Sequence, residues 1–165
     1  MALKFRTRPQ RASLTGREHE IRPMADDARG QEDDRSSIEK VAQLTGRLIF
    51  GGYFLYSGIH HFTDREMLIG YARSKGVAWP RAAVLGSGAL LVVGGLSLVT
   101  GVKQKVGASL VTMFLTGATP MMHDYWNAED GPRRMNEMIN FTKNLALIGG
   151  AAFAAAAARP PHAAA

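Results

Sequence analysis

The chain has 165 residues, of which 46% are hydrophobic, with a formal net charge of +6 and no cysteine. This length is enough for one compact domain and too short for two. The lack of cysteine excludes a disulfide framework, a CxxC redox pair, a cysteine nucleophile and an iron–sulfur cluster held by this chain. Any redox chemistry on this protein would therefore need a bound cofactor or a partner.

The first 40 residues are highly charged, with nine Lys and Arg and eight Asp and Glu. Because the two signs are interleaved, these residues form no basic stripe of the kind that binds nucleic acid, and we predict no nucleic-acid partner. The basic start is not followed by the apolar core and cleavage site of a secretory signal. The composition predicts a disordered tail over residues 1–40, followed by a membrane domain over residues 41–160.

Four apolar segments follow the tail. A helix of about 20 residues crosses a hydrocarbon core of about 30 Å. The second and third segments carry no charge along their central runs, so neither has a face suited to water. We therefore predict an all-α fold, a four-transmembrane-helix bundle that contacts membrane lipid and carries the disordered charged tail at its N-terminus. The segments span residues 44–61, 81–102, 106–125 and 138–158.

The connections predict a compact bundle. Residues 62–80 include a short interfacial helix over Glu66–Lys75, and residues 126–137 form a polar loop. Arg47 lies one turn inside the first segment, where we expect its side chain to extend to phosphate headgroups. Lys and Arg are divided evenly between the two membrane faces, so the positive-inside rule gives no orientation. Because a charged tail without a signal peptide is hard to translocate, we predict that both termini are cytoplasmic.

Small residues recur along the second and third segments, among them Gly86, Gly94, Gly95 and Gly117. In lipid, small residues at helical spacing allow two backbones to approach closely. The pattern predicts tight packing within the bundle or, alternatively, the interface of a homo-oligomer.

Polar side chains gather at the membrane face opposite the termini. Asn140 precedes Lys143 by three residues and Asn144 by four, so all three can share one side of a helix. Polar groups inside a membrane are costly unless they are paired, which makes them functional candidates. The candidate site residues are His60, His61, His123, Asp124, Trp126, Asn140, Lys143 and Asn144.

Four interpretations of this cluster remain open. The polar groups can satisfy helix ends and one another, bind a quinone or another small polar redox ligand, hold a metal or haem, or line a path for protons or a solute. Adjacent histidines on a helix point about 100° apart, which disfavours His60 and His61 as joint ligands, and we predict no metal site. The helix interiors lack Asp and Glu, which weakens the case for a path.

Several stretches of the sequence resemble the DoxX family of small bacterial membrane proteins. They are GRLIFGGYFLYSGIHHF (46–62), YARSKGVAWP (71–80), LLVVGGLSLVTG (90–101), TPMMHDYW (119–126) and INFTKNLALIGG (139–150). The resemblance covers residues 44–158 and implies a four-helix membrane fold. On this chain the polar positions that resemble the family are seven of the candidate residues: His60, His61, His123, Asp124, Trp126, Lys143 and Asn144. The charged tail is a departure from the compact family pattern.

Some members of that family are linked to respiratory redox work, including a thiosulfate:quinone oxidoreductase subunit. The resemblance therefore implies an accessory or quinone-interacting subunit of a redox or stress-defence system in the bacterial inner membrane. A quinone is then the candidate cofactor, and a redox protein is the candidate partner. The alternatives are a non-enzymatic scaffold that recruits a partner, and transport of a small solute.

Overall fold

The computed structural model describes residues 15–158, with side chains from residue 30 onward. The first part of the predicted tail and the last two residues of the predicted membrane domain lie outside this range. Every regular element within it is helical, which confirms the all-α prediction. The elements are α1 (Thr15–Thr63), α2 (Arg65–Ser74), α3 (Pro80–Thr100), α4 (Gln104–Met122), a 3₁₀ turn (Tyr125–Asn127) and α5 (Gly131–Ala156).

The chain divides into two compact units, Met1–Ala42 and Gln43–Ala165. In the first unit the structure has helix from Thr15, where we predicted disorder. None of the side chains described in this unit is buried, so local interactions have to hold the helix. The sequence places acids and bases one turn apart, such as Arg35 and Glu39, a spacing that favours an exposed helix. The interleaved charges that we took as a sign of disorder also suit an exposed helix.

One helix in the described residues, α3, is long and apolar enough to cross a membrane, with a mean hydropathy of 2.1. The helices α1 and α5 both begin with charged turns. The first turn of α4 carries Gln104 and Lys105, which lower its mean hydropathy. The four-span arrangement and the position of the termini therefore stay predictions.

The core of the second unit is formed by α1, α3, α4 and α5. Phe54, Leu91, Leu98 and Val111 are its largest fully buried side chains. The helices α1 and α3 run antiparallel, because Gly51 lies against Leu98 whereas Gly58 lies against Leu91. Burial of these side chains is the main source of cohesion between the helices in water and adds dispersion contact in lipid.

Glycines allow the helices to approach closely at some predicted positions and not at others. A Cβ added at Gly95 of α3 would lie 2.8 Å from the carbonyl oxygen of Gly51 and from the Cα of Leu55 on α1. By contrast, a Cβ at Gly86 or at Gly117 would meet no atom within 4 Å. The small residues therefore serve two purposes: some form the α1–α3 contact, and others leave open space between α3 and α4.

The connection between α4 and α5 is shorter than predicted. The helix α4 ends at Met122 instead of residue 125, and α5 begins at Gly131 instead of residue 138. The side chain of Asp130 accepts a hydrogen bond from the amide nitrogen of Arg133 at 2.6 Å. This N-cap, together with a proline in the first turn, stabilises the early start. Much of the predicted polar loop is therefore helix.

Arg47 caps the C-terminal end of α3. Its Nε donates to the carbonyl oxygen of Leu98 at 3.1 Å, and its Nη2 donates to that of Val99 at 2.8 Å. The last carbonyls of a helix have no partner within the helix, so they attract a donor of this kind. The guanidinium is half-buried against α3, and its predicted extension to headgroups stays a prediction.

Candidate functional site

A network of charged side chains lies where the α2–α3 connection meets the end of α4 and the start of α5. Lys75 Nζ lies 2.7 Å from Asp124 Oδ1 and 3.9 Å from Glu137 Oε1. The other oxygen of Glu137, Oε2, lies 2.8 Å from His123 Nδ1. Lys75 and Glu137 are only 11% and 13% exposed, so water screens them weakly. These four side chains are referred to below as the polar quartet.

Local structure brings the polar quartet together. Lys75 caps the end of α2, and the next residue, Gly76, has a φ of 76° that turns the chain towards α3. A side chain at this left-handed position would be strained. The hydroxyl of Tyr71 donates to the carbonyl oxygen of Met122 at 3.2 Å and so ties α2 to the end of α4. Glu137 lies on the second turn of α5, which the early start of that helix makes possible.

The ion pair between Lys75 and Asp124 shifts both pKa values. The hydrogen bond from Lys75, assisted by one from Asn127, lowers the pKa of Asp124 from 3.8 to about 2. Partial burial acts to lower the pKa of Lys75. The hydrogen bond to Asp124 and the negative groups nearby outweigh burial and raise that pKa above 10.5. The pair therefore stays charged across the neutral range.

Acid should weaken the fold through Asp124. We expect the stability that this carboxylate contributes to be fully present above its ordinary pKa of 3.8, and to be lost as the pH falls through about 2. Asp124→Asn should thus lower the melting temperature at neutral pH and have almost no effect near pH 2. Circular-dichroism melts in detergent over a pH series measure this. Glu129→Gln, which changes an exposed carboxylate in the same connection, is the control, and an effect of Asp124→Asn that does not vary with pH would contradict the assignment.

The structure brings two of the predicted site residues, His123 and Asp124, into the polar quartet. Others pair locally, and two of them, His60 and Lys143, are exposed. His60 Nε2 lies 2.6 Å from Asp64 Oδ2, one turn along α1. On α5 the ammonium of Lys143 donates to Asn140 Oδ1 at 2.8 Å. No hydrogen bond or ion pair links these three predicted residues to the quartet in the part of the chain that the structure describes.

Asn144 and Trp126 have packing contacts. Asn144 Nδ2 donates at 3.1 Å to the hydroxyl of Thr119, which is 2% exposed, and so links α5 to α4. The ring of Trp126 packs edge-on against Tyr125 and Phe141. A role for these two residues in ligand binding stays a prediction.

Sequence reasoning missed Lys75 and Glu137. Lys75 stood at the end of a predicted interfacial helix, and Glu137 stood in a predicted loop, so neither was compared with the histidines. The helical spacing held a usable signal for Glu137. It lies three residues before Asn140 and seven before Asn144, which places all three on one side of a helix. Extending α5 back by one turn would have added it to the cluster.

An apolar groove of about 530 Å³ lies beside the polar quartet. The helices α3 and α4 line it, and residues of α2 and the α2–α3 connection close one end. Its wall includes Ala82, Ala83, Gly86, Met113, Gly117 and Met121. The groove exists because glycine and alanine at these positions leave space between α3 and α4.

Four polar side chains line this groove, and two of them are predicted site residues. They are His61, Tyr71, Ser87 and His123. His61 packs edge-on against the ring of Phe114, with the two ring centroids 5.9 Å apart. His123 belongs both to the groove and to the polar quartet, so it connects the apolar space to the charged network. No group of three His, Cys, Asp or Glu side chains with metal-ligand geometry occurs among the residues that the structure describes.

A family model described as DoxX matches residues 42–124, which are half of the chain. The match includes the end of α1, all of α2 to α4, and both histidines of the groove, whereas α5 lies beyond it. Comparisons with curated proteins and with solved structures found no match. With half of its length matched by this family model, the chain belongs to the DoxX family, a family of membrane proteins.

Proposed function

We propose that this protein is a quinone-interacting accessory subunit of a redox or stress-defence system in a bacterial inner membrane. The observation that carries the proposal is the groove, with its apolar wall and two imidazoles. A volume of about 530 Å³ falls within the range of about 300–1,000 Å³ that is usual for sites of small ligands and cofactors. A quinone has the matching chemistry, because it combines an apolar ring and chain with two polar oxygens.

The family supports a membrane setting for this site. In the proposal the chain crosses the membrane four times with both termini in the cytoplasm, and the groove lies towards the opposite face. A quinone dissolved in the bilayer would then reach the groove from the lipid between α3 and α4. Because no cysteine is present, electrons would pass through the quinone to a redox partner protein.

Retention of quinone by the purified protein tests the proposal. We expect quinone to remain with protein extracted from membranes in mild detergent, as quantified by mass spectrometry. Counted over its oxidised and reduced forms together, the retained ligand should fall by about tenfold in each of His61→Ala and His123→Ala, because a lost hydrogen bond to a ligand costs about 1.4 kcal/mol. Lys143→Ala, which changes an exposed lysine outside the groove, should bind as the wild type does.

Filling the groove provides a sharper version of this experiment. Gly86→Leu should abolish quinone retention, because its side chain would enter the groove at a position where an added Cβ meets no atom within 4 Å. Gly149→Leu is the matched control. It also replaces an exposed helical glycine with open space around it, and so gains the same helix propensity, but it lies on α5 away from the groove. Undiminished quinone in Gly86→Leu would rule out the groove as the site.

A further inference from the structure

We infer that the groove selects the reduced, hydroxyl-bearing form of its ligand, a quinol, over the oxidised quinone. The reason is that the polar side chains lining the groove offer hydrogen-bond acceptors and no donors. This inference rests on the proposed function and adds the redox state of the ligand to it.

Both imidazoles of the groove use Nδ1 as a donor. His61 Nδ1 lies 2.7 Å from the carbonyl oxygen of Ser57. His123 Nδ1 lies 2.8 Å from Glu137 Oε2. A carbonyl oxygen and an ionised carboxylate only accept hydrogen bonds, so the hydrogen of each neutral ring has to be on Nδ1. The nitrogen that remains for a ligand is Nε2, which carries a lone pair.

The two hydroxyl groups that line the groove also donate their hydrogens to carbonyl oxygens of the protein. Tyr71 donates to the carbonyl oxygen of Met122 at 3.2 Å, and Ser87 donates to that of Val84 at 3.0 Å. A hydroxyl has one hydrogen, so only oxygen lone pairs remain for a ligand. From Ala83 onward the main-chain amides of α3 donate to carbonyl oxygens one turn earlier, as do those in the body of α4, whereas the amide of Ala82 in the first turn of α3 has no such partner. A ligand in the groove therefore meets acceptors from all four polar side chains.

The two redox forms of the ligand differ in whether their oxygen atoms can donate hydrogen bonds to the groove. The hydroxyl groups of a quinol can donate to Nε2 of His61 or of His123. The carbonyl oxygens of a quinone can only accept, so they would face lone pairs and lose the hydrogen bonds that they make in water. Each hydrogen bond that one form makes and the other cannot is worth about tenfold in affinity. The expected preference for the quinol is therefore about tenfold or more.

Calorimetric titration of the full-length protein in nanodiscs measures this preference. Duroquinol, duroquinone and the dimethyl ether of duroquinol are the probes, used without oxygen at about pH 8, where ordinary imidazole is neutral. We expect duroquinol to bind at least about tenfold more tightly than the other two, because neither duroquinone nor the ether, which carries two added methyl groups, has a hydroxyl hydrogen to donate. Equal affinities, or tighter binding of duroquinone, would overturn the inference and leave the proposed function standing. Binding of none of the three would overturn both.

Glu137 acts as a positioning residue in this scheme, because its carboxylate keeps the hydrogen of His123 on Nδ1. Glu137→Gln introduces an amide that can donate to Nδ1 and so allow the hydrogen to move to Nε2. We expect the ratio of duroquinol affinity to duroquinone affinity to fall severalfold. Glu129→Gln should keep the wild-type ratio. If Glu137→Gln instead weakened both ligands by the same factor, Glu137 would have a structural role only, and its assignment as a positioning residue would be wrong.

Discussion

Gly95→Ala is expected to lower the free energy of unfolding by about 2–3 kcal/mol. The added Cβ would lie 2.8 Å from the carbonyl oxygen of Gly51 and from the Cα of Leu55. These contacts are with backbone, which cannot rotate away as a flexible side chain can. To relieve them, α1 and α3 have to move apart, and the buried contacts of Phe54 and Leu91 loosen with them.

Gly86→Ala is the matched control, because it makes the same change on the same helix in open space. It should be neutral or stabilising by up to about 1 kcal/mol through its higher helix propensity. Unfolding of both variants in mixed micelles of mild detergent and dodecyl sulfate, followed by circular dichroism, measures the difference. Equal stabilities for the two variants would show that the close α1–α3 contact does not hold in the folded protein.

Arg47→Met should also destabilise the protein, by about 2–3 kcal/mol. Methionine keeps the apolar stem of the side chain but removes both hydrogen bonds to the last carbonyl oxygens of α3, at 3.1 Å from Leu98 and 2.8 Å from Val99. Hydrogen bonds from a charged donor are stronger than neutral ones, and these carbonyls have no donor within the helix to replace Arg47.

Arg47→Lys separates the charge of this residue from its geometry. Lysine keeps the positive charge near the negative end of the helix dipole, but its single ammonium lacks the planar fork of a guanidinium. We expect a loss of about half that of Arg47→Met in the same unfolding assay. Full stability in Arg47→Met would indicate that the side chain lies at the membrane surface, as the sequence suggested, and does not cap α3.

The polar quartet and the groove share His123, which in the proposed function links the charged network to ligand binding. The orientation of that ring depends on Glu137, which in turn lies 3.9 Å from Lys75. Lys75 is held by Asp124 at 2.7 Å. A carboxylate behind an imidazole sets the nitrogen that carries the hydrogen. The quartet thus determines which ring nitrogen of His123 carries the hydrogen and which one is left for a ligand in the groove.

Most helix positions could be predicted from the sequence because they depend on local sequence patterns. The predicted interfacial helix Glu66–Lys75 corresponds to α2 at Arg65–Ser74, and the second segment corresponds closely to α3. The start of α5 was misplaced although its signals were present. Asp130 and the following Gly-Pro pair are an N-cap and a first-turn proline, and we interpreted them as loop residues because of their polarity.

The candidate site could be predicted from the sequence only in part. His61 and His123 were singled out as polar residues near one membrane face, and both line the groove. For the other predicted residues, the outcome depended on where each one lies around its helix. His60, one residue from His61, pairs with Asp64 and is exposed. Lys143 lies on the exposed side of α5, although its spacing from Asn140 suggested a shared inward face. Spacing along one helix predicts which residues share a side and cannot predict which side faces a neighbour.

The sequence by itself determined the helical class, the positions of α2 and α3, the apolar character of α3 and the family, because helical hydrogen bonds and hydrophobic periodicity span only about four residues. Tertiary structure alone decided that Lys75 meets Asp124, 49 residues away, that Arg47 caps α3, and that a groove remains between α3 and α4. Those outcomes depend on how far each helix is rotated and shifted against its neighbours. Close contacts such as that of Gly95 with Gly51 set this arrangement, and they arise only when the helices are packed together.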